Sequence, residues 1–196
     1  MLPPSGNNDV PTGHLAAVVT YLEMRAPADA PPPLASDLCV QRVETPKICW
    51  YRMLFRAVGE EWLWSSRLRM SDSELLTILR APGVEVFALR RNETDCGLLE
   101  LDFREAGACE IVFFGVTPDA VGSGAAHVMM RFAIARGCAR PVSRLWLHTC
   151  TLDHPRALPF YLRAGFEPYL RQVEIFRDPR IDGLLPRTAA PHVPVI

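Results

Sequence analysis

Apolar residues recur along this chain with two periods, and the switches between them lay out its elements. LAAVVTYLEM (15–24) is β-prone and LCVQRVE (38–44) alternates, so each predicts a strand. In KICWYRMLFRAVGEEWLW (47–64), Ile48, Tyr51, Phe55 and Val58 fall at helical spacing. SDSELLTILR predicts a second helix, with Ser71 or Ser73 as N-cap and Pro82-Gly83 closing it. Three strands follow: VEVFALR (84–90), CGLLELDF (96–103) and CEIVFFGV (109–116). Their linkers, RNETD and REAGA, are short and polar, which predicts antiparallel hairpins. A glycine-bearing turn then leads to an apolar helix (124–136), a strand (144–150), a short helix (155–164) and a last strand (167–177). This order predicts a mixed α/β domain with no internal repeat.

Proline sets the boundaries. Eight of the 18 prolines fall in residues 1–46 and four in 179–196, which leaves the middle as the packed unit. The expectation is a mobile N-terminal segment (1–14), one domain (15–177) and a C-terminal tail (178–196) packed on the domain or in an interface. APADAPPP (26–33) reads as a linker. The chain has 196 residues, 49% of them apolar and 22% charged, which excludes wholesale disorder. A formal charge of −1 argues against a nucleic-acid binder driven by phosphate contacts. None of the six cysteines forms a C-x-x-C pair and no histidine pair has zinc-ligand spacing, so no metal is expected. With no secretory start and no run of roughly 20 apolar residues, a cytoplasmic protein without membrane contact is expected.

The stretch richest in chemistry is EIVFFGVTPDAVGSGAAHVMMRFAIA (110–135). A buried strand runs through Thr117-Pro118 into Gly122-Ser123-Gly124 and straight into a helix. Glycines at such a turn let the backbone approach a ligand, and the helix N-terminus offers unpaired N–H groups to an anion. The same glycines also suit a tight turn with no ligand. No Gly-Lys-Ser/Thr follows, and Ala126 and His127 stand where a dinucleotide fingerprint would carry its last glycine.

EIVFFGVTPDAVGSGAAHVMM resembles the acetyl-CoA-binding motif of the GNAT superfamily of N-acetyltransferases, Gln/Arg-x-x-Gly-x-Gly/Ala after a strand, here Asp119 to Gly124. Both glycines match, and Asp119 departs from the usual Gln or Arg. DHPRALPFYLRAGFEPY (153–169) resembles a later helix of the same superfamily: Ala157, Tyr161, Gly165 and Phe166 match, Phe160 replaces a leucine and His154 an asparagine. The resemblance covers residues 84–177, more loosely 15–177. It implies a GNAT-type α/β fold: a central mixed, mostly antiparallel twisted sheet of about 6–7 strands flanked by about four helices.

The resemblance also implies function. It points to acetyl transfer from acetyl-CoA to a primary amine, on a small molecule or peptide, by direct attack. Coenzyme contacts are implied for Val116, Thr117, Val121, Gly122, Ser123, Gly124, Ala125, Ala126 and His154. Tyr161 is the expected general acid, since a phenol can protonate or hydrogen-bond the departing thiolate; a packing aromatic is the other reading. Glu110, in the apolar run EIVFF, is the expected base because burial raises a carboxyl pKa, unless it faces water at a strand edge. His148 is a lesser candidate. Cys150 at a strand end would suit an acyl-cysteine route, against the family's direct transfer.

For the acceptor, Glu61, Trp62 and Trp64 are the expected contacts, through charge and cation–π attraction, although ordinary core packing also explains the tryptophans. Residues 117–164 carry six arginines and two acids, +4, so the rest sums to −5. That predicts a basic coenzyme side and a more acidic remainder. A non-catalytic acyl-CoA-binding module of the same fold remains the alternative, and a homodimer is left open.

Overall fold

Strands with apolar side chains on both faces need cover on both sides, and β3 (Val84–Arg91) and β4 (Thr94–Asp102) are of this kind. Val86 and Ala88 of β3 pack to one side, Phe87 and Leu89 to the other. The structure, a computed structural model, describes residues 6–25, 37–139 and 141–196. The 26–33 linker and the first five residues of the expected N-terminal segment lie outside the described residues.

Seven strands form one sheet in the order β2-β3-β4-β5-β6-β1-β7, the others being β1 (His14–Arg25), β2 (Leu38–Arg42), β5 (Ala108–Val116), β6 (Arg144–Cys150) and β7 (Glu167–Arg177). Every neighbouring pair is antiparallel except β5–β6. The sheet is therefore mixed and mostly antiparallel, with both expected hairpins, β3–β4 and β4–β5, in place. Among the described residues there are five α-helices, in line with the expected sheet flanked by about four. They are α1 (Ile48–Gly59), α2 (Ser66–Arg69), α3 (Asp72–Leu79), α4 (Ala125–Cys138) and α5 (Ala157–Arg163). The one not anticipated is α2, four residues long and too short to show a period.

Each helix sits where its apolar face dictates. Tyr51, Leu54, Phe55 and Val58 of α1 join Leu75 and Leu79 of α3 on one face of the sheet. Met129, Met130, Ala133 and Ile134 of α4 pack on the other, with Tyr161 and Phe166. Of the two serines, Ser71 caps α3: its hydroxyl accepts from the Glu74 amide while Glu74 reaches back to the Ser71 amide, closing a capping box.

The C-terminal segment completes the α1 side of the core through Leu185, Ala189 and Ala190. Its path is held by the buried Asp178–Arg180 pair, 2.7 Å apart, whose guanidinium also donates to the carbonyls of Ala189 and Val193. At the opposite edge of the sheet from β2, β7 is exposed at all but one residue.

One polar cluster ties α1, α2 and β4 together. Glu100, 1% exposed, accepts from the Tyr51 hydroxyl and from the Arg67 guanidinium, each at 2.5 Å. The Arg67 guanidinium carbon also lies 5.0 Å from the centre of the Phe113 ring. Removing one partner of such a pair strands a buried charge. Arg67→Ala is therefore expected to cost about 3–5 kcal/mol in urea unfolding, and Tyr51→Phe only about 1 kcal/mol. An Arg67→Ala loss no larger than that of the exposed control Arg80→Ala would show the cluster to be dispensable.

Candidate active site

The site begins where two strands stop pairing. β5 and β6 meet only at Ala108, Cys109 and Glu110, opposite Arg144, Leu145 and Trp146. Beyond these three positions the strands separate. A bulge contributes: Phe113 and Ile111 face the consecutive residues Glu100 and Leu101, so Val112 is extra and bends β5. A cleft of about 760 Å³ opens in the gap and continues along α4, α5 and the segment after α1, a size usual for small-molecule sites. Its walls include Phe113 to Val116 of β5 and Leu147, His148 and Cys150 of β6.

At one end stands the turn before α4. Gly122 (φ +83°) and Gly124 (φ +85°) adopt left-handed conformations that disfavour side chains, and a Cβ on either would project into open space. The amides of Val121 and Ser123 donate to the carbonyls of Pro118 and Ala120, whereas those of Gly122, Gly124, Ala125 and Ala126 find no backbone acceptor among the described residues. Four free donors at the N-terminus of a 14-residue helix suit a phosphate. Val121, Gly122, Gly124 and Ala126 line the cleft, with Val116 and His154 further along. Thr117, Ser123 and Ala125 are not among the residues that line it: Ser123 is exposed, Thr117 and Ala125 are buried, and the Thr117 amide and hydroxyl both donate to the Cys96 carbonyl. Asp119 is exposed, does not line the cleft and does not cap α4.

The arginines divide in space, unlike in sequence. Arg156 and Arg163 line the cleft. Arg136 is committed to buried Glu85 at 2.6 Å, and Arg144 to Glu23 at 2.6 Å; Arg140 lies outside the described residues. Among the described residues, the basic side expected from residues 117–164 thus supplies two guanidiniums to the cleft lining.

At the gap itself stand the groups that can move protons. Glu110 has a side chain 22% exposed, and burial pushes its pKa up to about 7. The next cause is Asp102, directly opposite across the β4–β5 pair. Asp102 takes the Arg104 guanidinium, which holds its own carboxyl below the usual range, so the shared strain falls on Glu110. The His148 ring lies 3.8 Å from Glu110, beyond hydrogen-bond reach, and burial in the cleft lowers its pKa despite the opposing fields of Asp153 and Glu174. Tyr161 is buried among Phe114, Phe160 and Phe166, with its pKa raised by burial, and it lines the cleft. The Cys150 thiol is pushed up to about 12 by burial and by Asp153, which leaves it a poor nucleophile.

Asp153 itself was missed in the sequence. It lines the cleft and accepts from the Trp64 indole (3.1 Å), the Thr149 hydroxyl (2.9 Å) and the Cys150 amide (2.8 Å). Its position just before His154-Pro155 at a helix start is the signal that could have drawn attention to it. Trp64 is therefore held edge-on by Asp153 and packs on Phe55 and Phe113. Gly59 and Gly115 make room for it, since a Cβ at Gly59 would lie 2.5 Å from its ring and one at Gly115 2.4 Å from Val58. Trp62 lies between His154 (5.0 Å between ring centres) and His192 (6.0 Å). Trp62 and Trp64 line the cleft; Glu61 is exposed and does not. Among the described residues no group of three His, Cys, Asp or Glu could hold a metal, and no helix is long and apolar enough to cross a membrane.

The profile of the Acetyltransferase (GNAT) family matches residues 49–166. No curated protein matches the sequence. Among solved structures, a functionally unknown conserved protein from Staphylococcus epidermidis superposes with a TM-score of 0.62 at 16% identity, covering 85% of this chain and 63% of its own. A GCN5-related N-acetyltransferase from Sphaerobacter thermophilus gives 0.61 at 17% identity, over 84% of this chain and 53% of its own. An aminoglycoside acetyltransferase from an uncultured soil metagenomic sample gives 0.55 at 14% identity, over 65% and 87%. At these identities the likeness is one of fold. The chain spans somewhat under two thirds of the first of these structures and about half of the second.

The raised pKa of Glu110 has a consequence for stability. Between pH 4.5 and about 7 the folded protein holds a proton there that the unfolded chain has lost, so stability falls as pH rises through that window. Glu110→Gln is expected to be more stable than the native protein at pH 8, by on the order of 1–3 kcal/mol, and no more stable at pH 4. Denaturant midpoints at the two pH values measure this; equal midpoints at pH 8 would show that Glu110 titrates normally.

Proposed function

The chain belongs to the GNAT family of acetyltransferases, and from that premise we propose that it transfers an acetyl group from acetyl-coenzyme A to a primary amine by direct attack. The observation that carries this reading is the cleft between β5 and β6, with four free amides at one end and, in its wall, His148, whose ring lies 3.8 Å from Glu110 just outside the lining. The glycine turn fits a pyrophosphate: the amides of Gly122, Gly124, Ala125 and Ala126 would hold it, Arg156 and Arg163 would add charge, and Val116 and His154 would flank the pantetheine arm. Acetyl-coenzyme A supplies an activated thioester when bound. Beyond Glu110, the β6-side peptide groups of β5 lack a strand partner and are free to orient a ligand amide or carbonyl.

The chemistry then needs two proton events. As the amine nitrogen bonds to the acetyl carbon and the C–S bond breaks, the nitrogen becomes acidic and the sulfur basic. Glu110, at about 7, is half ionised near neutral pH and takes the nitrogen's proton, directly or through water, with neutral His148 alongside. Tyr161 serves the sulfur. Because burial raises its pKa, it stays protonated, and its O–H acts chiefly as a hydrogen-bond donor to the forming thiolate. Asp153 opposes phenolate formation through its charge. The unreactive thiol at Cys150 supports direct transfer over an acyl-cysteine route. Asp119, outside the cleft, places no acid against the pyrophosphate, which favours a working site over a decayed binding module.

Thiol release from acetyl-coenzyme A across a panel of amines tests the reading; coenzyme binding with no release from any amine would make this a binding module. Glu110→Gln is expected to lower kcat about 10²-fold and to erase an acidic limb near pH 7. Tyr161→Phe is expected to lower kcat about tenfold or more with coenzyme affinity unchanged. An unaltered kcat would remove that residue from the mechanism.

A further inference from the structure

The acceptor half of the cleft holds a charge that the fold does not use. Glu174 of β7 lines the cleft, and among the described residues its carboxylate makes no ion pair or hydrogen bond. The other charges beside it are committed. Arg69 is bound to Asp182 at 2.6 Å and to the Arg177 carbonyl at 2.7 Å. Asp153 accepts from three donors. The strand register places Glu174 on the working face of the sheet: it lies opposite Ala17, Val19 lies opposite Cys150, Tyr21 opposite His148, and Trp146 opposite Glu110. Residues two apart share a face, so Glu174, Val19, Tyr21, His148 and Glu110 all project to one side. Its field reaches both Tyr21 and His148.

Position decides what this carboxylate can do. Glu174 lies two strands across from Cys150, which lines the gap, and two residues along, so with strands about 4.8 Å apart and residues about 3.3 Å apart the two backbones are roughly 12 Å apart. A carboxylate held two strands away leaves the reacting nitrogen alone and suits a second, non-reacting cation. Val19 of the intervening strand β1 lines the cleft, as do the apolar Leu152, Phe113 and Phe176. These side chains give methylenes an apolar surface to pack on.

We propose that Glu174 is a specificity residue and that the acceptor is an aliphatic diamine, one amine reacting at the β5–β6 gap and the other, as ammonium, paired with Glu174. A five-carbon diamine spans roughly 7 Å at about 1.2 Å per bond, and the glutamate side chain adds about 5 Å, which together match the separation from the Cys150 end of the gap. The proposal rests on the acetyl-transfer reading for the identity of the reacting end, but binding can be measured without turnover.

The test is a charge series of matched length: 1,5-diaminopentane, pentylamine and 6-aminohexanoate. Each is titrated calorimetrically into the coenzyme A-saturated protein and assayed separately for thiol release with acetyl-coenzyme A. The diamine is expected to bind about tenfold tighter than pentylamine, with 6-aminohexanoate weakest. Glu174→Gln should abolish the preference between the first two, and Glu174→Lys should move it toward 6-aminohexanoate. Both substitutions are at an exposed edge position, so coenzyme affinity should stay native and serves as the control for folding. Equal binding of the three ligands, a preference untouched by Glu174→Gln, or no binding at all overturns the proposal. Tightest binding of 6-aminohexanoate also overturns it and moves the determinant to Arg69. A Glu174-dependent preference without thiol release leaves the proposal standing and removes the transferase reading; thiol release with no dependence on Glu174 does the reverse.

Discussion

The molecule depends on a parallel strand contact that lasts three residues. Had β5 and β6 paired along their whole lengths, the sheet would be continuous and there would be no cleft. Instead the β5 bulge at Val112 turns the strand away just after Glu110. Every other element of the site is placed by that separation. α4 enters with its N-terminus at the mouth, α5 brings Tyr161 to one wall, and the loop after α1 brings Trp64 to the other. The separation is sustained by bulk on both sides of the sheet, with Phe113 against Phe55 and Trp64, and Phe114 against Phe160 and Tyr161.

Within this frame two glutamates show how environment assigns roles to identical side chains. Glu100 is almost fully buried and is met by Arg67 and Tyr51, so it works as a cross-brace between helices and sheet. Glu110 is more accessible, has Asp102 across from it, and has no cation in hydrogen-bonding range among the described residues. The first is stabilised as a paired charge; the second is left near its titration midpoint at neutral pH. The brace also bears on the site, because Arg67 lies against Phe113 and draws the Glu110 pKa partly back down.

The link between the helical layer and the cleft runs through Trp64. Its ring fills the space left by Gly59 and Gly115, and its indole N–H ends on Asp153, which in turn takes the Thr149 hydroxyl and the Cys150 amide. One side chain thus couples the segment after α1 to the loop between β6 and α5. The ring also lines the cleft. Glu174, which lines the cleft without a hydrogen-bond or ion-pair partner among the described residues, comes from the far edge of the sheet, more than a hundred residues from Trp64 in the chain.

What the sequence determined on its own was the order and type of the elements, the two hairpins, the glycine turn before α4 and the candidates Tyr161 and Glu110. These follow from short-range physics: period, caps, turn residues and a motif spanning adjacent positions. Even the Asp102–Glu110 opposition is implicit there, because a short polar linker sets which residues of a hairpin face each other. What only the tertiary structure decided was who meets whom across the fold. The widening of β5 from β6, the commitment of Arg136 to Glu85 and Arg144 to Glu23, the placing of Glu61 outside the cleft, and the arrival of Asp153 and Glu174 inside it all join residues far apart in sequence. Charge and burial act through space, and one chain with no homologues beside it carries no local record of such encounters.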